Sequence, residues 1–183
     1  MDVLEFVPYL FSTLAPMMFG DSPMTTLHRP ARRPVVLVVD DFQDGRELVA
    51  EYLAFRGFTV HTATDGAEAI EVADAARPDV VLLDLSMPGI DGWQAARILK
   101  SSPATRKMII VAVTAHALAR ETQAARDAGC DGVICKPFDL TALGDALPRL
   151  LTHGTKALDV PGLSLTLPQP KRRPARPMEQ NES

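Results

Sequence analysis

Four stretches of the chain are apolar at nearly every position and rich in β-branched residues. They are Val35-Val36-Leu37-Val38-Val39, Val80-Val81-Leu82-Leu83, Met108-Ile109-Ile110-Val111-Ala112-Val113 and Val133-Ile134-Cys135 behind Gly132. Strands that read this way are buried on both faces, as in a parallel sheet covered by helices. Between them apolar residues recur at helical spacing: Leu48, Tyr52 and Phe55, then Ala69, Ile70 and Ala73. Trp93, Ala96 and the pair Ile98-Leu99 repeat the pattern more loosely. The spacing predicts strands near 35–39, 58–62, 79–83, 108–113 and 132–135, and helices near 43–56, 66–76, 91–100, 118–128 and 139–151. Strand and helix alternate five times, which argues for βαβ units and an α/β fold around a parallel sheet.

Local punctuation agrees with these elements. Gly57 and Gly129 stand where helix C-termini need a left-handed residue. Asp65, Asp91 and Asp139 stand close to helix starts, where a short carboxylate can accept from free amides. The run Pro30-Ala31-Arg32-Arg33-Pro34 reads as an extended linker, so one domain is expected over 34–152. Residues 1–33 form an N-terminal extension. Its apolar part, Phe6 to Phe19, is interrupted by Pro8 and Pro16, too short to span a bilayer, and preceded by Asp2 and Glu5 rather than basic residues. A loosely ordered extension, or translation starting at Met17, Met18 or Met24, is the expectation. Residues 153–183 are proline-rich and basic, with Lys171-Arg172-Arg173 and Arg176, and cannot bury enough apolar surface to fold alone.

Composition narrows the class. Hydrophobic residues make up 46% and charged residues 23%, as in a soluble globular protein. The net charge of −4 combines an acidic body with a basic tail. That balance argues against nucleic-acid binding by the body. Cys130 and Cys135 fit neither a disulfide framework nor a CxxC or zinc site. They read as buried thiols in a reducing, cytoplasmic setting.

The chemistry gathers at the strand ends. Asp40 and Asp41 close the first apolar run, Asp84 the second, Thr114 the third and Lys136 the fourth. Parallel strands end at one edge of the sheet, where α/β proteins bind ligands, so these groups should converge. Three carboxylates offer hard oxygen ligands suited to Mg²⁺. An aspartate can itself attack a phosphoryl group, while a metal and a lysine neutralise its charge and a threonine hydroxyl bonds it. Any one of these residues could be an ordinary cap or surface group. Together they hold every part needed for aspartyl phosphorylation.

Four stretches resemble a known family, the receiver domain of bacterial two-component response regulators. They are Val38-Val39-Asp40-Asp41, Leu82 to Gly92 (reading LLDLSMPGIDG), Val113-Thr114-Ala115 and Cys135-Lys136-Pro137-Phe138. The resemblance covers about residues 34–152. It implies a doubly wound, flavodoxin-like sheet in the order 2-1-3-4-5. It also implies that Asp84 accepts the phosphoryl group, with Mg²⁺ held by Asp40, Asp41, Asp84 and the Ser86 carbonyl. Thr114 would be the switch hydroxyl and Lys136 the phosphoryl partner, with a cis bond before Pro137. Phosphorylation would come from a histidine kinase or a histidine phosphotransfer protein. A downstream partner would bind the surface of the fourth helix, last strand and fifth helix. His116, two residues beyond Thr114, is a candidate modulator of phosphoryl lifetime. Val133 stands where relatives often carry a switch aromatic.

The remaining chain is too short for a familiar output domain, and it carries neither a helix-turn-helix pattern nor a phosphate-binding glycine loop. A stand-alone receiver that acts as a switch rather than an enzyme is therefore expected, with no integral membrane segment. A receiver-fold module that binds partners without phosphorylation is the alternative. A flavodoxin would need a Ser/Thr/Gly-rich loop where Phe42-Gln43-Asp44 stands, and a haloacid dehalogenase-type phosphatase a second acid where Ser86 stands.

Overall fold

The computed structural model describes residues 32–115, 119–154 and 165–166. Five parallel strands form its centre: β1 (Val35–Val39), β2 (Thr59–Ala63), β3 (Val80–Asp84), β4 (Ile109–Thr114) and β5 (Gly132–Cys135). Five helices alternate with them: α1 (Gln43–Phe55), α2 (Gly66–Ala76), α3 (Gly92–Ser101), α4 (Ala119–Asp127) and α5 (Leu140–His153). The spatial order is β2-β1-β3-β4-β5, extended by a two-residue strand β6 (Leu165–Thr166). The α/β, doubly wound, flavodoxin-like order expected for the five parallel strands is therefore present. β6 pairs antiparallel with β5, Thr166 opposite Val133 and Leu165 opposite Ile134. The segment falls within 153–183, where composition predicts only a tail. Two residues are too few to show strand periodicity, and only the unpaired edge of β5 gives them a place.

Alternation along the strands divides the core in two. Leu37, Val39, Val81, Leu83, Ile110, Ala112 and Val133 point to one face, where Ala69 and Ala73 of α2, Ala95, Ala96 and Leu99 of α3, and Ala125 of α4 cover them. Val36, Val38, Val80, Leu82, Val111, Val113 and Ile134 point to the other, under Leu53 of α1 and Ala142, Leu143, Ala146, Leu147 and Leu150 of α5. Every residue of β1 and β3 is buried, which accounts for their uninterrupted apolar runs.

The helix starts follow the aspartate signals. Asp65 accepts from the amides of Ala67 and Glu68, Asp91 from Gln94 and Asp139 from Ala142. Gly57 and Gly129 adopt φ of +93° and +92° beyond the ends of α1 and α4. Arg77 ends α2 in the left-handed region without being glycine. The stripe Leu48, Tyr52, Phe55 does lie on a helix, but Leu48 and Phe55 are 58% and 86% exposed. Leu53 is the buried anchor of α1, supported by the half-buried Val49. Helical spacing identifies the element and does not say which of its stripes faces the sheet. Cys130 is buried as expected, whereas Cys135 is only half-buried.

Candidate functional site

The sheet register brings the strand-end residues to one level. Val39 pairs with Leu83, so Asp40 follows β1 where Asp84 ends β3. Asp84 pairs with Val113, and Thr114 with Cys135, which places Lys136 just above the end of β5. Alternation continues past the strands. Asp40, Asp84 and Lys136 share the parity of Val38, Leu82 and Ile134, while Thr114 shares that of Ala112 and faces α4.

An ion pair organises the centre. The Lys136 ammonium lies 2.7 Å from Asp40 Oδ2 and 2.6 Å from Asp84 Oδ2, bridging two carboxylates that would otherwise repel. Desolvation pulls the Lys136 pKa down, but bonds to Asp40 and Asp84 outweigh it and hold the pKa above the ordinary lysine value. The ammonium is therefore charged throughout the neutral range. The Lys136–Pro137 peptide bond is cis, as the resemblance implied.

Asp84 is buried, and its other oxygen, Oδ1, accepts the amide of Ser86 at 2.8 Å. Beneath it the chain packs at the limit of closeness. A Cβ on Gly92 would lie 2.1 Å from the Asp84 carbonyl oxygen and 2.7 Å from Leu85 Cα. Only glycine lets α3 start against this loop. Asp40 Oδ1 accepts the Phe42 amide at 2.9 Å, and the Asp40 carbonyl accepts from Arg46 at 2.6 Å, tying the acidic loop to α1.

Asp40, Asp41 and Asp84 each bring a carboxylate oxygen within 4.8 Å of the other two. Asp41 is exposed, so the cluster opens to solvent on its side. A hard divalent cation fits this all-oxygen donor set. The ammonium already drawn between two of the carboxylates shows how strongly the cluster favours positive charge. Receiver domains generally hold Mg²⁺ at such an acidic pocket.

Thr114 is buried, and its hydroxyl donates to Glu121 Oε2 of α4 at 3.3 Å. Sequence reasoning missed Glu121 and Arg46. A carboxylate seven residues after Thr114, in the first turn of a helix, was a signal without a partner until the topology folded α4 back over β4. Val133 is buried in the core beside Ala112. His116 lies outside the described residues.

This combination of a doubly wound five-stranded parallel sheet and a lysine-bridged acidic cluster at its carboxyl edge places the chain among α/β domains that bind ligands at that edge. The profile of the response regulator receiver domain family matches residues 36–148. The chain belongs to that family. It is 40% identical over 124 residues to the response regulator MprA of Mycobacterium ulcerans, covering 68% of this chain and 52% of MprA. It is 37% identical over 113 residues to the sensor histidine kinase RcsC of Salmonella typhi, covering 62% of this chain and 12% of RcsC. The chain thus spans about half the length of the MprA relatives it matches, and much less of RcsC. Among solved structures, the chemotaxis protein CheY4 of Vibrio cholerae superposes with a TM-score of 0.61 at 31% identity, covering 64% of this chain and 98% of CheY4. The domain is a receiver of two-component signalling, and such receivers are signalling switches that interact with histidine kinases and phosphotransfer proteins. Among the described residues, no helix is long and apolar enough to cross a membrane.

Proposed function

We propose that the protein is a cytoplasmic phosphorylation switch in which Asp84 takes a phosphoryl group from a histidine kinase or histidine phosphotransfer protein. The carrying observation is the Lys136 ammonium held between Asp40 and Asp84 at the carboxyl edge of the sheet. It sets a cation against the Asp84 carboxylate, the nucleophile, and against the charge of an incoming phosphoryl group.

An Asp84 carboxylate oxygen attacks phosphorus, the phosphorus–imidazole bond breaks, and an acyl phosphate forms while the donor imidazole leaves. The Ser86 amide and Lys136 orient the carboxylate for that attack. Mg²⁺ held by Asp40, Asp41, Asp84 and the Ser86 carbonyl would neutralise charge on the phosphoryl oxygens. Thr114 supplies a hydroxyl to the bound phosphoryl group. In this reading phosphorylation shifts a pre-existing equilibrium of the α4–β5–α5 surface, where a downstream partner binds.

Intact-mass measurement after incubation with phosphoramidate and Mg²⁺ tests the proposal. One added phosphoryl group is expected, absent in Asp84→Ala and absent when the metal is chelated. An unlabelled protein, under conditions that label another receiver, would make this a module that binds partners without phosphorylation.

A further inference from the structure

Thr114 and Glu121 carry an inference that rests on the phosphorylation reading above and extends it. The Thr114 hydroxyl has one proton to donate, and Glu121 Oε2 stands 3.3 Å away as an acceptor for it. A phosphoryl group on Asp84 would need the same proton, because its oxygens are acceptors only. One proton cannot serve both acceptors. Thr114 sits at the end of β4 on the face covered by α3 and α4, whereas Asp84 has the parity of the opposite face. The hydroxyl must therefore turn away from α4 to reach the phosphoryl.

Arg126, five residues beyond Glu121 on α4, has a buried Nε without a hydrogen-bond partner among the described residues, while its Nη1 donates to Gln123 at 2.7 Å. Val133, buried beneath Thr114 in the neighbouring strand, has no ring that could swing to report the change. The Glu121 carboxylate links the switch position to α4.

We propose that the Thr114 proton toggles between Glu121 and a phosphoryl group on Asp84, making Glu121 the positioning residue through which α4 registers phosphorylation. Removing Glu121 takes this acceptor away in advance. It also removes a negative charge that competes with the phosphoryl for the same donor.

The test measures the rate of phosphoryl gain from phosphoramidate and Mg²⁺ in the full chain, alongside hydrogen exchange of the α4 amides. Glu121→Ala should label roughly three- to tenfold faster than the unmodified protein, the ratio expected for one hydrogen bond released. Glu121→Gln, which keeps an acceptor without the charge, should fall between. In a Thr114→Ala background neither change at Glu121 should alter the rate. Exchange over Ala119–Asp127 should rise on phosphorylation of the unmodified protein and be already raised, and unresponsive, in Glu121→Ala. Normal labelling of the unmodified protein, with Glu121 variants matching it or keeping their effect without Thr114, overturns the toggle alone. Failure of the unmodified protein to label overturns the phosphorylation reading and the toggle with it.

Discussion

Gly92→Ala adds one methyl group at the tightest point of the site. The new Cβ would lie 2.1 Å from the Asp84 carbonyl oxygen, 2.7 Å from Leu85 Cα and 3.0 Å from the Asp84 carbonyl carbon. All three atoms are backbone, so no side chain can rotate away. Ordinary van der Waals contact begins near 3.4 Å, and either the start of α3 or the Asp84–Leu85 loop must retreat by about 1 Å. α3 cannot follow freely, because Ala95, Ala96 and Leu99 are fully packed against the sheet. Overpacking of this kind costs about 3 kcal/mol, and replacing helical glycine by alanine returns at most about 1 kcal/mol. The net loss of about 2 kcal/mol corresponds to a fall in Tm of roughly 8 °C for a domain of this size. Urea titration should show the midpoint drop with an unchanged slope, and phosphoryl gain at Asp84 should slow because its loop has moved. Gly45→Ala is the comparator. Its Cβ meets the exposed Phe42 ring at 3.3 Å and otherwise only Asp40 at 3.9 Å, so stability should hold or rise by about 0.5 kcal/mol. A Gly92→Ala protein as stable as its parent would refute the claim that glycine is required there.

Asp131 should matter more than its half-exposed position suggests, since its Oδ2 accepts both Lys100 Nζ at 2.6 Å and the Ile110 amide at 2.8 Å. Asp131→Ala strands a backbone amide of β4 and leaves Lys100 only its bond to the Met108 carbonyl, and should cost about 2 kcal/mol in a urea melt, whereas a loss below about 0.5 kcal/mol would contradict this role. Asp139→Ala removes the α5 cap at the Ala142 amide and should cost about 1 kcal/mol, read as lost stability without lost labelling at Asp84. Stability should also fall in alkali. Burial, and then the neighbouring Asp131 charge, pushes the Cys130 thiol from 9.0 up to about 12, and Asp40 and Asp84 hold Lys136 above 10.5 despite its desolvation. The native protein keeps both protons after the unfolded chain has released them. The stabilisation is thus complete below about pH 9, and declines above it, first through Cys130 and then through Lys136. Urea midpoints that stay flat from pH 8 to pH 11 would contradict both assignments.

Much of this domain could be read without coordinates, because the deciding signals are local. A strand buried on both faces must be apolar throughout, and β1, β3 and β4 announce themselves for that reason. Asp65, Asp91 and Asp139 cap the helices they precede because an aspartate reaches amides only two or three residues ahead. Parallel strands end at a common edge, so the gathering of Asp40, Asp84 and Lys136 followed from order along the chain. Other features depend on which surfaces meet. The outward turn of Leu48 and Phe55 was hidden, since two apolar stripes on α1 compete and only the seat against the sheet selects Leu53. β6 needed the open edge of β5, and Glu121 needed α4 laid across β4 to find Thr114. Periodicity and capping act within a few residues of chain, whereas the choice of face, edge and polar partner is made by packing between segments distant in sequence.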